Sequence, residues 1–183
     1  PTLPYLIKNG VKTHWIETLN EREQLCKKVE IVPLEVIIRN RATGSFVKRY
    51  GAEEGKIFKR PTFELSYKND DLGDPLLNDD HALALELVTE DELAEIKKQT
   101  FLINDLLSKL FDKMNLILVD YKIEFGRDKE GNILLADEIS PDSMRLWDKD
   151  TLKKLDKDRF RQDLGDVMGA YREVLRRLEE VLK

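Results

Sequence analysis

Two strand-like runs joined by a polar turn constrain this chain most: residues 116–125 (LILVDYKIEF) and 132–139 (NILLADEI), with Glu130 and Gly131 between them. β-Branched and aromatic residues bounded by a Gly-containing polar segment predict an antiparallel hairpin. Side chains alternate across a strand, so Asp120, Lys122 and Glu124 share one face while Val119, Tyr121, Ile123 and Phe125 share the other. The apolar face belongs in a core. A two-residue loop at Glu130 and Gly131 sets Glu124 opposite Asp137. Opposed carboxylates cost roughly 0.2–1 kcal/mol when exposed and more when buried, so a compensating cation is expected. Mg²⁺, which takes one or two protein carboxylates plus substrate phosphates, is one such cation, and Lys122 is another. A solvated charged face is the competing reading, and a one-residue slip in register would separate the pair.

Around the hairpin, residues 29–38 (VEIVPLEVII) read as a strand, with Pro33 sending its first half to a sheet edge or hinge. Thr89 followed by Glu92 is a capping-box pattern. The three- and four-residue spacing of Leu93, Ile96, Ile103, Leu107, Leu110 and Met114 then predicts an amphipathic helix. Phe160, Leu164, Val167, Tyr171, Val174, Leu178 and Leu182 predict a second long helix over 158–182, with Gly165 and Gly169 permitting close packing. Residues 51–80 read as loops around a short strand near 62–67.

At 183 residues the chain has room for about one domain. A formal charge of −5 argues against coating nucleic acid by bulk attraction, so any anion site must be local. No run of about 18 apolar residues is present and the first ten residues lack a signal-peptide pattern, which predicts a cytoplasmic protein with no membrane span. One cysteine, Cys26, and two histidines, His14 and His81, leave no Cys/His zinc site, and all three read as structural. The chain opens at Pro1 with neither a capped helix nor a strand start, which suggests a segment removed upstream.

One local anion site stands out. Residues 39–49 (RNRATGSFVKR) carry Arg39, Arg41, Lys48 and Arg49 with no acid. Arginine forks, Gly44 for close backbone approach, and the hydroxyls of Thr43 and Ser45 suit a phosphate. A solvent-facing basic loop, or one paired with the Asp-rich residues 70–80, is the alternative. GAEEGK at 51–56 has one residue too few between its glycines for a P-loop and is rejected. DEISPDSMRLWD, 137–148, ends a strand in a Pro-containing turn and offers Arg145 as a second anion clamp. Lys68, just after an apolar run, is placed to meet a nucleotide phosphate or to be a surface lysine. No nucleophile elbow or triad pattern is present.

Taken in order, VPLEVIIRNRATGSFVKRYG, VDYKIEFG and LADEISPDSMRLWDKDTLKKLDKDRFRQDLG resemble the motifs of the SAICAR synthetase family of purine biosynthesis over nearly the whole chain. The resemblance implies an α+β, two-lobe fold of the ATP-grasp or kinase-like kind, with a mostly antiparallel sheet packed by two long helices. It implies residues 1–28 as the remnant of an N-terminal ATP-binding lobe that is otherwise incomplete, and 29–183 as the lobe with the nucleotide and metal site. It implies an ATP- and Mg²⁺-dependent ligase joining L-aspartate to the carboxylate of carboxyaminoimidazole ribonucleotide through an acyl phosphate, with SAICAR, ADP and phosphate as products. Arg39, Ser45, Asp120, Lys122 and Arg145 would meet the imidazole nucleotide. Glu30, Ile31 and Lys68 would meet ATP, Glu124 and Asp137 the metal, and Lys122 and Asp137 would take part in catalysis. A homo-oligomer is compatible with the resemblance.

The unmatched Gly-rich lobe leads to the expectation that this chain alone is weakly active or inactive. A noncatalytic nucleotide-binding or assembly module is the second reading. RNA binding through 39–49 is a third, opposed by the net charge and by the sparse aromatics, Phe46 and Tyr50.

Overall fold

The computed structural model describes residues 2–183. In chain order the elements are α1 (Thr2–Lys8), β1 (Trp15–Thr18), β2 (Gln24–Cys26), β3 (Glu30–Arg41), α2 (Gly44–Tyr50), β4 (Ile57–Tyr67), β5 (Leu76–Leu77), α3 (Asp79–Ala84) and α4 (Glu90–Lys113). There follow β6 (Leu116–Arg127), β7 (Ile133–Ala136), β8 (Met144–Asp148), α5 (Asp158–Arg161) and α6 (Val167–Leu182). The main sheet runs β5-β4-β3-β6-β7, with β8 also paired to β6. Every pairing between these strands is antiparallel. The expected α+β class with a mostly antiparallel sheet therefore holds.

The sheet buries Val32, Leu34, Val36 and Ile38 of β3 together with Tyr121, Ile123 and Phe125 of β6. Leu93, Ile96, Ile103, Leu107 and Leu110 of α4 close over them in the same cluster. Each such side chain contributes about 1.5–3 kcal/mol when fully buried. The α4 start is a capping box, with Thr89 and Glu92 each accepting the other's backbone N–H. A bulge in β6 between Leu118 and Asp120 switches the alternation. Leu116 and Leu118 thereby join the same cluster as Tyr121, while Val119, expected on the Tyr121 face, is buried outside it.

The expectation for Pro33 stands: β4 pairs with β3 only from Leu34 onward, which leaves the first half of β3 at an edge, and the pairing with β6 is interrupted between Ile31 and Glu35, which accommodates a residue with no N–H to donate. Several other local expectations are corrected. The segment 39–49 is the end of β3 followed by helix α2, and β4 is longer than the short strand expected. The first described residues form α1, whose Leu3 and Leu6 enter the common core.

The C-terminal helix is broken into α5 and α6, with Asp163, Gly165 and Asp166 all at positive φ. The buried Arg159 guanidinium draws the carbonyls of Lys154, Leu164 and Gly165 to itself at 3.1, 2.9 and 2.7 Å, taking acceptors a continuous helix would use. Gly165 faces open space and serves the turn, whereas Gly169 is packed against the Asp166 side chain. Phe160 is consequently 79% exposed instead of packed on the sheet.

Candidate active site

The antiparallel register places Asp120 of β6 opposite Arg39 of β3 on one side and Arg145 of β8 on the other. One carboxylate oxygen, Oδ2 of Asp120, accepts from Nη1 of Arg39 at 3.0 Å and from Nη1 of Arg145 at 2.8 Å. Arg39 also pairs through Nε with Glu64 of β4 and donates from Nη2 to Ser45 Oγ at 3.0 Å. Arg145 Nε reaches Asp158 at 2.8 Å, and Arg49 reaches Glu64 at 3.3 Å. The result is a row of alternating sign, Arg49, Glu64, Arg39, Asp120, Arg145, Asp158. Alternation offsets the cost of taking a guanidinium as buried as that of Arg39 out of water.

Gly44, at the start of α2, supplies the floor: its φ is +55°, and a Cβ there would lie 2.5 Å from Nη2 of Arg145. Above this floor opens a cavity of about 610 Å³ lined by Arg39, Ser45, Asp120, Lys122 and Arg145, together with Lys48, Lys157 and Arg161. All five residues expected to meet the imidazole nucleotide thus border one space. Lys157 and Arg161 were missed, because the segment was read only for its apolar periodicity; the clustered basic residues of KKLDKDRFR, 153–161, were the available signal. Among the described residues, Lys48, Lys157 and Arg161 have no carboxylate partner within ion-pair distance. Burial and then neighbouring Arg145 bring the Lys157 ammonium down to about 8. An anion entering the cavity therefore meets cations not already neutralised.

The α5 start is anchored by Asp156, fully buried, whose two oxygens accept from the N–H of Leu146 at 2.7 Å and of Asp158 at 2.8 Å. Burial raises this carboxyl to about 6.

Next to the cavity, the same face of the sheet carries a second charged group. The expected pairing of Glu124 with Asp137 is corrected: Glu124 lies opposite Ala136. The turn has three residues between Asp128 and Asn132, with Gly131 at φ +81°, and the Asp128 carboxylate accepts from the N–H of Glu130 and Asn132. The directly opposed carboxylates are instead Glu35 of β3 and Glu124. Lys122 Nζ lies 2.7 Å from Glu35, and Lys68 Nζ lies 2.7 Å from Glu124.

Asp137, exposed and just past β7, has φ +62°. The hydrogen bond to Glu124 chiefly raises the Lys68 pKa, and the charges of Asp137 and Glu35 add to it. The carboxylates therefore gather about Lys68 despite the different register. His14, buried beside Asp137, is held below its ordinary value by desolvation. Among the described residues no group of three or more His, Cys, Asp or Glu side chains is placed to hold a metal by itself. One or two carboxylates completed by phosphate oxygens are nevertheless the donor set Mg²⁺ uses.

Glu30 and Ile31 do not line the cavity. They lie exposed at the start of β3, paired with Arg127 and Gly126. Lys68 N–H donates to Pro33 O at 3.0 Å, which puts Lys68 beside the stretch where β3 pairing with β6 lapses.

Comparison with known proteins decides the class, since residues 2–178 match the SAICAR synthetase family. The chain belongs to that family. It is 62% identical over 173 residues to the phosphoribosylaminoimidazole-succinocarboxamide synthase of Finegoldia magna, covering 94% of this chain and 75% of the relative. Against the Clostridium botulinum enzyme of the same name it is 60% identical over 175 residues, covering 96% and 74%. The crystal structure of that synthase from Ehrlichia chaffeensis superposes with a TM-score of 0.95 at 49% identity, covering 97% of this chain and 76% of the other. A SAICAR synthetase in complex with ADP gives 0.94 at 43% identity, covering 97% and 76%. SAICAR synthetases are ATP-dependent carbon–nitrogen ligases of purine biosynthesis, and this chain is an enzyme of that class. Among the described residues no helix is long and apolar enough to cross a membrane.

Proposed function

We propose that the cavity holds carboxyaminoimidazole ribonucleotide and that the adjoining charged face holds the reacting phosphates of ATP. One observation carries the reading: Asp120 fixes the Arg39 and Arg145 guanidiniums at the base of a cavity whose Lys48, Lys157 and Arg161 make no ion pair among the described residues. Arg39, Ser45 and Arg145 orient the ribonucleotide phosphate and its neighbouring groups, and Asp120 keeps both arginines in place. The imidazole carboxylate then lies toward Lys122, whose ammonium offsets its charge as a phosphoryl group is transferred from ATP.

The resulting acyl phosphate has the leaving group that a free carboxylate lacks. The amine of L-aspartate attacks the acyl carbon, the amide forms and inorganic phosphate departs. Asp137, exposed beside Lys68, is the acceptor for the proton the amine must lose. Lys68 meets ATP phosphate, and the backbone from Glu30 to Leu34 meets adenine. Glu124 and Asp137, with Glu35 alongside, would hold Mg²⁺, which when bound would neutralise phosphate charge. Residues 29–183 carry these groups.

The acyl phosphate is tested with substrate whose carboxylate bears ¹⁸O. Label appearing in released phosphate is the expected result, and its complete absence during turnover rules out this chemistry.

A further inference from the structure

A nucleotide-independent metal site needs its carboxylates clear of other cations, and here they are not clear. Glu35 and Glu124 face each other across β3 and β6, and each already has an ammonium on it, Lys122 and Lys68, both at 2.7 Å. Glu124 is buried, so its charge is not dissipated into water, while the Lys68 side chain is 46% exposed and can swing out without disturbing the core.

We infer that the Lys68 ammonium is a resident counter-ion occupying the divalent-cation position, displaced from Glu124 when the metal arrives and so released toward phosphate. This rests on the reading of Glu124 as a metal-holding carboxylate. A metal alone must break the Lys68–Glu124 pair and binds weakly. A metal carried in by a nucleotide breaks the same pair but gives the lysine a new anionic partner. Loading is thereby coupled: the protein discriminates against bare metal and favours metal together with polyphosphate.

The test measures Mn²⁺ binding to the 183-residue chain by electron paramagnetic resonance, without nucleotide. Lys68→Met keeps the apolar stem and removes the charge; it is expected to bind Mn²⁺ about fivefold tighter or more, the value of a half-exposed ion pair. Lys68→Arg, which keeps the charge, is expected to stay as weak as wild type, and Glu124→Gln combined with Lys68→Met to lose the gain. Lys149→Met at the opposite end of β6 reads the general effect of removing a positive charge and is expected to change little. Nucleotide binding in the presence of Mg²⁺ should move the other way, weakening in Lys68→Met. Unchanged or weaker Mn²⁺ binding in Lys68→Met, or an equal gain in Lys149→Met, overturns the inference. Failure of wild type to bind ATP with Mg²⁺ would instead strike at the functional reading and leave the Mn²⁺ comparison standing.

Discussion

Glu35 and Glu124 stand directly opposite each other in the antiparallel ladder between β3 and β6, each bound by a different lysine. Like charges in that relationship contribute nothing to stability, so their value lies in what they bind. Glu124→Gln is expected to melt within about 1 kcal/mol of wild type, because it removes a repulsion along with an ion pair. Its turnover should fall about a hundredfold or more if Glu124 holds the metal as proposed. Thermal melts and steady-state assays on the same preparation check both halves.

Gly44 and Arg145 make the second prediction. An alanine at 44 adds left-handed strain of roughly 1–2 kcal/mol and puts a methyl group into the guanidinium. Arg145 must move off Asp120. The expected result for Gly44→Ala is a KM for the imidazole nucleotide raised at least about tenfold, with the KM for ATP far less affected.

Asp120→Ala leaves two poorly compensated guanidiniums on the sheet. Removing one partner of a buried ion pair costs about 3–5 kcal/mol, and the remaining contacts of Arg39 to Glu64 and of Arg145 to Asp158 argue for the lower end. Urea denaturation should show a midpoint shifted down by that amount with the slope unchanged.

Asp156 governs a pH effect. Its folded pKa of about 6 lies above the ordinary 3.8, so the native state takes up a proton in the interval between them. The stabilisation it contributes is complete below about pH 4 and is lost as pH rises through 6, a change of about 3 kcal/mol. The stability difference between wild type and Asp156→Asn should therefore move against wild type by that order from pH 4 to 7. Denaturation at several pH values checks it.

The residues that line the cavity were largely legible in the sequence. Strand alternation put Asp120 and Lys122 on one face, and the acid-free run from Arg39 to Arg49 marked an anion site. Register was less legible. Whether the turn holds two residues or three depends on the Asp128 carboxylate collecting two N–H groups, and that decides whether Glu124 faces Asp137 or Ala136. Glu35 was not singled out because its partnership with Glu124 joins strands far apart in sequence. Lys157 and Arg161 escaped notice because the break after α5 is made by the Arg159 side chain bonding carbonyls five and six residues further on, which hydrophobic periodicity does not record.

The central claim, that this cavity holds an imidazole carboxylate ribonucleotide through cations that make no ion pair among the described residues, is tested most directly by calorimetric titration of the chain with carboxyaminoimidazole ribonucleotide. The account predicts one site, with affinity falling as pH rises through about 8, where free Lys157 loses its charge. It also predicts binding at least about tenfold weaker in Lys157→Met. No heat of binding in the wild type, or an affinity indifferent to both pH and Lys157, would contradict it.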